Sequence, residues 1–245
     1  MTDHPALFNA ARWLQANQIP VPKDIETNLS LCGVAIKAQW DYNNALTRIV
    51  LIYLNDLITA PGRAGETFGV DFADAIESGL NEAWRLGMRE NDVTEMDPDW
   101  QDMVDEIVAG ERLHIPDFAA YLTEVAGHSD NVGQAMSTVS SRLDMWINRY
   151  NDVYNQAIAK TADEKTKLVW VYGDTQHCDT CARLNGIVAY AREWDEAGIS
   201  PQNPPNGALS CGGWQCQCSL KPTTERHTRN ALDRLLSIAG QQGKD

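Results

Sequence analysis

Apolar positions along this chain recur at helical spacing over the first two thirds and switch to strand spacing near residue 166. Residues 5–17 place Leu7, Ala10, Ala11 and Leu14 at i, i+3, i+4 and i+7, the stripe of a short amphipathic helix. Residues 18–24 carry Pro20 and Pro22, each of which biases the residue before it away from helical angles, so this stretch predicts an extended arm. Cys32 follows in an apolar stretch, with no other cysteine near it in sequence, and reads as a small buried hydrophobe. Residues 41–60 carry Leu46, Ile49, Val50, Ile52, Tyr53, Leu57 and Ile58, an apolar face too broad for a helix that is not largely covered. A Pro/Gly loop at 61–65 ends it.

The next helix, residues 71–89, spaces Phe72, Ile76, Leu80 and Trp84 four apart in one core stripe. Asp97 and Pro98 mark a helix start, because aspartate accepts from the first free N–H groups and proline has no N–H to leave unpaired. The acids Glu95, Asp97, Asp99, Asp102, Asp105 and Glu106 lack the ligand spacing and central glycine of a calcium loop and read as a solvated helix face. A short helix is expected over 116–125. Over 131–160, Met136, Val139, Leu143, Trp146, Tyr150 and Val153 alternate three and four apart, a packing seam several turns long.

Beyond residue 166 the texture changes. Residues 168–172 and 187–190 read as strands, 194–197 as one helical turn, 198–209 as an irregular loop and 217–221 as a closing strand, and Thr223 or Thr224 as the start of a last helix through Ile238. The pattern therefore predicts a mainly α chain: an N-terminal helical domain, residues 1–166, followed by a small α+β module of zinc-knuckle type, residues 167–245. Charge changes at the same place. Residues 1–166 carry 12 Lys and Arg against 26 Asp and Glu, a net charge of −14, whereas residues 167–245 carry 8 of each. Such a balance argues against a dedicated nucleic-acid binder, which needs a basic surplus to neutralise phosphates. The longest apolar run, 49–54, is too short to span a bilayer, and the first residues lack the basic region of a secretory signal, so a cytoplasmic folding environment is expected.

In that reducing setting clustered cysteines are metal ligands more often than disulfides. Five of the 6 cysteines fall between Trp170 and Pro222 as Cys178-x2-Cys181 and Cys211-x4-Cys216-x-Cys218. Two tight groups separated by a Pro/Gly/Asn-rich span are what a four-coordinate Zn2+ site needs, with the ion supplying folding free energy that a small core cannot. Cys178, Cys181 and Cys211 are the simplest three ligands. The fourth is Cys216, favoured by the spacing, or Cys218, since residues two apart on an extended backbone point to one side. His177 is a further candidate. A thiolate nucleophile or redox pair is the sharper alternative, but it calls for the C-x2-C at a helix start within a βαβ unit, and Gly173-Asp174 before it and Asn185-Gly186 after it predict a turn instead.

The C-terminal pattern resembles the phage head-morphogenesis, or minor head, proteins similar to protein F of phage Mu. The shared features are an aromatic strand, Asp174-x3-Cys178-x2-Cys181-x4-Gly186, Trp194, the prolines Pro201, Pro204 and Pro205, and a closing Cys216-x-Cys218. Where the family often has histidine before the final pair, this chain has Cys211 followed by Gly212-Gly213-Trp214. The helical stretches containing Ala83-Trp84-Arg85-Leu86-Gly87 and Trp146-Ile147-Asn148-Arg149-Tyr150 look like the region preceding this module in related phage proteins. The resemblance implies a structural, non-enzymatic virion protein of the head, assembled in the host cytoplasm and contacting the portal or the major capsid protein. Residues 193–209 would then be an exposed docking loop. The rival readings are a zinc ribbon binding nucleic acid through Arg183, Arg192, Lys221, Arg226, Arg229 and Arg234, and a toxin or peptidase module on a helical carrier.

Overall fold

A computed structural model of the chain describes residues 23–62, 67–173, 177–201, 206–213 and 218–240, with the side chains of the first helix described at Val34 and from Lys37 onward. The helix expected at 5–17 lies outside these residues. The fold is mainly helical with a small antiparallel sheet near its C-terminal end. The first part contains α1 (Lys23–Thr59), α2 (Phe68–Arg89), α3 (Pro98–Arg112), α4 (Ile115–Gly127) and α5 (Val132–Thr161).

The predicted stripes become the core. Phe72, Ile76, Leu80 and Trp84 of α2 are fully buried, and Leu46, Val50 and Leu54 of α1 and Val139, Leu143, Trp146, Tyr150 and Val153 of α5 close over them. Phe72 stands at the middle of an aromatic group, with ring centroids 5.3 Å from Phe68, 5.5 Å from Phe118 and 5.3 Å from an edge-on Trp146. The expected cap is present: the Asp97 carboxylate accepts from the Asp99 N–H at 2.9 Å and Pro98 opens α3. Glu95, Asp97, Asp99, Asp102, Asp105 and Glu106 are all exposed, the solvated face expected of them.

Helix α1 differs from expectation, since it begins at Lys23 rather than near Asp41 and takes in Lys23 and Asp24 of the supposed arm. Pro22 stands immediately before it, and prolines are tolerated there because first-turn N–H groups have no helical acceptor anyway. Cys32 is therefore helical.

Two helical glycines set how closely the helices approach. A Cβ at Gly79 would lie 2.1 Å from the Tyr42 ring, and one at Gly87 would lie 2.4 Å from the Tyr154 carbonyl oxygen and 2.6 Å from the Ala157 Cβ. A glycine inside a helix costs about 0.5–1 kcal/mol relative to alanine, and close packing of α2 on α1 and α5 offsets it here. Gly110, in the exposed face of α3, has nothing within 4 Å of such a Cβ. Chemical denaturation should therefore separate the two sites. Gly87→Ala is expected to destabilise by about 1–3 kcal/mol, because backbone must give way, and Gly110→Ala to stabilise by about 0.5–1 kcal/mol.

The second part contains β1 (Lys167–Val171), α6 (Asp179–Leu184), β2 (Val188–Tyr190), α7 (Ala191–Glu196), β3 (Ser219–Pro222) and α8 (Ala231–Ala239). The strands form one antiparallel sheet in the order β2-β1-β3, with Leu168 opposite Ala189 and Trp170 opposite Leu220. Buried side chains here make a second apolar cluster, built on Leu168, Trp170, Leu184, Trp194, Leu220 and Leu235 and joined by Ala159 and Ala162 from the end of α5. Such a cluster shares with any bound ion the task of holding the module together. No helix among the described residues is long and apolar enough to cross a membrane.

One expectation is corrected in this part. The last helix starts at Ala231, not at Thr223 or Thr224. The intervening chain lies instead along the sheet: the Thr223 N–H donates to the Lys167 carbonyl at 2.9 Å, the Thr228 N–H donates to the Val188 carbonyl at 2.8 Å, and the Val188 N–H donates to the Thr228 hydroxyl at 3.0 Å. His227 also reaches Glu193 at 2.6 Å, and the same carboxylate accepts the Tyr190 N–H at 2.7 Å. Within the segment 193–209, Trp194, Ile199 and Leu209 are only 2–3% exposed and fill the second cluster, while Asp195, Glu196 and Gly207 are exposed and residues 202–205 lie outside the described ones.

Candidate metal centre

The C-x2-C sequence sits at a helix start, contrary to the turn expected from its flanks. Cys178 is the N-cap of α6, and its sulfur accepts the Cys181 N–H at 3.4 Å, a role usually taken by a side-chain oxygen. Helix α6 then ends at the Asn185-Gly186 pair, where Gly186 takes a left-handed φ of 77° and its N–H donates to the Trp170 carbonyl at 3.0 Å. The two strands flanking α6 are antiparallel. The surroundings are therefore a β-helix-β excursion within one hairpin and not the parallel βαβ unit that a thioredoxin-type pair occupies.

Cys211 arrives from a compact loop. Within it the Asn206 N–H donates to the Gly212 carbonyl at 2.8 Å, the Leu209 N–H to the Asn206 carbonyl at 3.2 Å and the Gly212 N–H to the Leu209 carbonyl at 2.8 Å. The Asn206 amide ties this loop to the Ser200 carbonyl at 2.9 Å, and the buried Leu209 anchors it below. Gly212 and Gly213 have φ of 63° and 82° and supply the left-handed turn by which the chain leaves Cys211.

As a result the sulfurs of Cys178, Cys181 and Cys211 all lie within 4.8 Å of one another, with Cys178 and Cys181 only 3.3 Å apart. An ion with metal–sulfur distances of about 2.3 Å in a tetrahedron holds its sulfurs about 3.8 Å apart, a spacing these values bracket. Cys178, Cys181, Cys211 and Cys218 are thiols and form no disulfide. The three converging cysteines form a group that can bind a metal ion.

No family model, curated protein or solved structure matches this chain. The chemistry of the centre is accordingly read from its own geometry.

Burial pushes the Cys178 thiol up, but hydrogen bonds from the backbone and thiol of Cys181 and from the backbone and thiol of Cys211 together outweigh it and lower the pKa from 9.0 to about 7. Cys178 is thus readily available as a thiolate, the form that binds metal. Since its folded pKa lies below the unfolded one, the associated stability of the metal-free module is present above about pH 9 and is lost as pH falls through about 7. Iodoacetamide labelling of chelator-stripped protein should show Cys178 alkylated with a midpoint near pH 7. A midpoint at the ordinary cysteine value of about 8.5 would contradict this environment.

Of the other sequence candidates, Cys218 does not join the group among the described residues. Cys218 is 1% exposed, and its sulfur lies 3.8 Å from Nδ1 of His177, whose ring stacks on Tyr172 at 3.7 Å between centroids. His177 likewise stays outside the three-sulfur group. Cys216 falls outside the described residues. Sequence reasoning passed over Asn206, whose part in shaping the Cys211 loop has no signature beyond its place in a Pro/Gly-rich spacer.

Proposed function

We propose that this chain is a structural minor head protein of a phage, whose C-terminal module is stapled by one Zn2+ and contacts the portal or the major capsid protein during head assembly. The observation that carries the reading is the convergence of Cys211 on the Cys178–Cys181 pair, from which it lies far away in sequence. It is supported by the order of parts around them. The aromatic strand β1 leads to the C-x2-C at the head of α6, Gly186 turns the chain into β2, and the closing pair at Cys216 and Cys218 precedes β3, the order of the Mu F-like pattern. Zinc suits the donor set because it takes thiolates in tetrahedral geometry and supports no redox chemistry of its own.

The role is architectural. Cys178, Cys181 and Cys211 would hold the ion, and the ion would tie the head of α6 to the 206–213 loop across the face of the second apolar cluster. With Cys181 1% exposed, the centre is closed on the side of the core. Exposed Arg183, Arg192, Arg226, Arg229 and Arg234 belong to a region, residues 167–245, whose 8 Lys and Arg are matched by 8 Asp and Glu, so phosphate binding is not required by this reading.

Co-expression with the portal and major capsid proteins of the encoding phage tests it. The chain is expected to co-sediment with portal rings or assembled heads and to be found by mass spectrometry in purified head fractions. A chain that stays wholly in the soluble fraction and is absent from purified heads would overturn the proposal. Salt-sensitive retention on DNA instead would favour the nucleic-acid ribbon.

A further inference from the structure

We infer that Thr180 is the positioning residue that brings Cys211 to the Cys178–Cys181 pair. The inference rests on the metal-site reading above and deepens it by naming what sets the third ligand in place.

Thr180 lies between the two cysteines of the C-x2-C, in the first turn of α6, and its side chain is 1% exposed. Its hydroxyl oxygen accepts the Ser210 backbone N–H at 3.1 Å and is also hydrogen-bonded to the Ser210 hydroxyl. Ser210 is one peptide unit before Cys211, and successive Cα atoms across that unit are held about 3.8 Å apart. A bond that fixes the Ser210 N–H therefore fixes where the Cys211 backbone begins. Cys178 and Cys181 are already placed by α6 itself. The third sulfur comes from a loop about thirty residues away in sequence, whose internal bonds define its shape and which the buried Leu209 and the Cys211 backbone bond to Cys178 also hold near α6. The Thr180 to Ser210 pair of bonds ties the loop directly to α6 one residue before the third sulfur.

The chemistry fits the residue type. A buried hydroxyl serves both as acceptor for an N–H and as partner to a second hydroxyl, and the β-branched threonine is stiff about χ1, so the acceptor is aimed before the loop docks. Partners of this kind around a metal's ligands typically set about 10- to 100-fold in metal affinity. Valine at this position keeps the shape and the branch and deletes only the oxygen.

Thr180→Val is expected to weaken Zn2+ binding about 10- to 100-fold in competition with a chromogenic chelator at fixed pH. In Co2+-loaded protein, thiolate-to-metal charge-transfer absorbance should drop relative to wild type as the Cys211 sulfur is lost from the ion, and Thr180→Ser should restore both affinity and absorbance. If Thr180→Val weakens binding but leaves the Co2+ spectrum unchanged, or if serine fails to rescue, the residue acts only on module stability and the inference is overturned. Unchanged affinity in the valine variant overturns it as well. Should the valine variant not fold, Ser210→Ala decides, because Ser210 is exposed and its hydroxyl can be removed without touching the core. That variant should show a smaller loss of affinity with the same spectral change, and wild-type behaviour in both would sink the idea. Wild-type protein that binds no metal would instead overturn the reading of the site, which is a separate outcome.

Discussion

Replacing Cys181 by serine is expected to strip the protein of its metal while leaving the helical bundle folded. Cys181 is the most enclosed of the three converging cysteines and also makes part of the second apolar cluster. Serine at this position is a far poorer ligand for a thiophilic ion, so bound metal should fall from one ion per chain to near zero by elemental analysis. Structural zinc contributes on the order of 10–16 kcal/mol to small domains that lack a core of their own. Here Trp170, Trp194 and their neighbours carry part of that burden, and the loss should be smaller but still enough to melt the module before the bundle. Trp170 and Trp194 stand 5.8 Å apart, and near-ultraviolet dichroism from this pair should weaken, while far-ultraviolet helical signal from α1 to α5 persists. Chelation of the wild-type protein should reproduce the effect, which separates loss of the ion from a serine buried in the core. Retention of one ion per chain in the variant would remove Cys181 from the ligand set.

The second large effect lies in the other cluster. Trp84→Ala should cost about 3–5 kcal/mol in denaturant unfolding, the range for removing a fully buried indole. Trp84 is 0% exposed, at the end of the stripe begun by Phe72, and its indole N–H has no hydrogen-bond partner among the described residues. What the side chain contributes is therefore packing, and Trp84→Phe should cost less because it also removes the unsatisfied donor. Metal content should be unchanged in both variants, since the three ligands sit in the other cluster. A Trp84→Ala protein as stable as wild type would mean that α2 does not pack through this stripe.

The contrast between the two clusters explains what could be read from the chain. Helix faces were legible where burial is periodic. Phe72, Ile76, Leu80 and Trp84, and the seam from Val139 to Val153, each carry their own spacing, and Asp97-Pro98 announces α3 locally. The start of α1 was missed because two prolines that precede a helix look the same in sequence as two prolines in a linker. In the second part, placement depends on long-range hydrogen bonds with no local signature. Thr223 and Thr224 look like helix caps, yet residues 223–230 are held along the sheet by Lys167 and Val188.

The cysteine group shows the same division. Spacing pointed to Cys178, Cys181 and Cys211 with Cys216 or Cys218 as the fourth, and among the described residues the first three converge. That Cys178 caps a helix was hidden because sulfur is an uncommon cap and the Asn185-Gly186 turn masked a helix of six residues. That Cys218 lies against His177 follows from the register of β3 on β1, which pairs Val171 with Ser219 and cannot be derived from a count of intervening residues. Residues 193–209 read as a loop because they are rich in Pro and Gly, whereas Trp194, Ile199 and Leu209 within them are buried.

Zinc K-edge X-ray absorption on the protein as purified tests the central claim most directly. The account predicts one zinc per chain with at least three sulfur neighbours at about 2.3 Å. A first shell made only of nitrogen and oxygen, or a protein that carries no metal while Cys178, Cys181 and Cys211 all react as thiols, would contradict it.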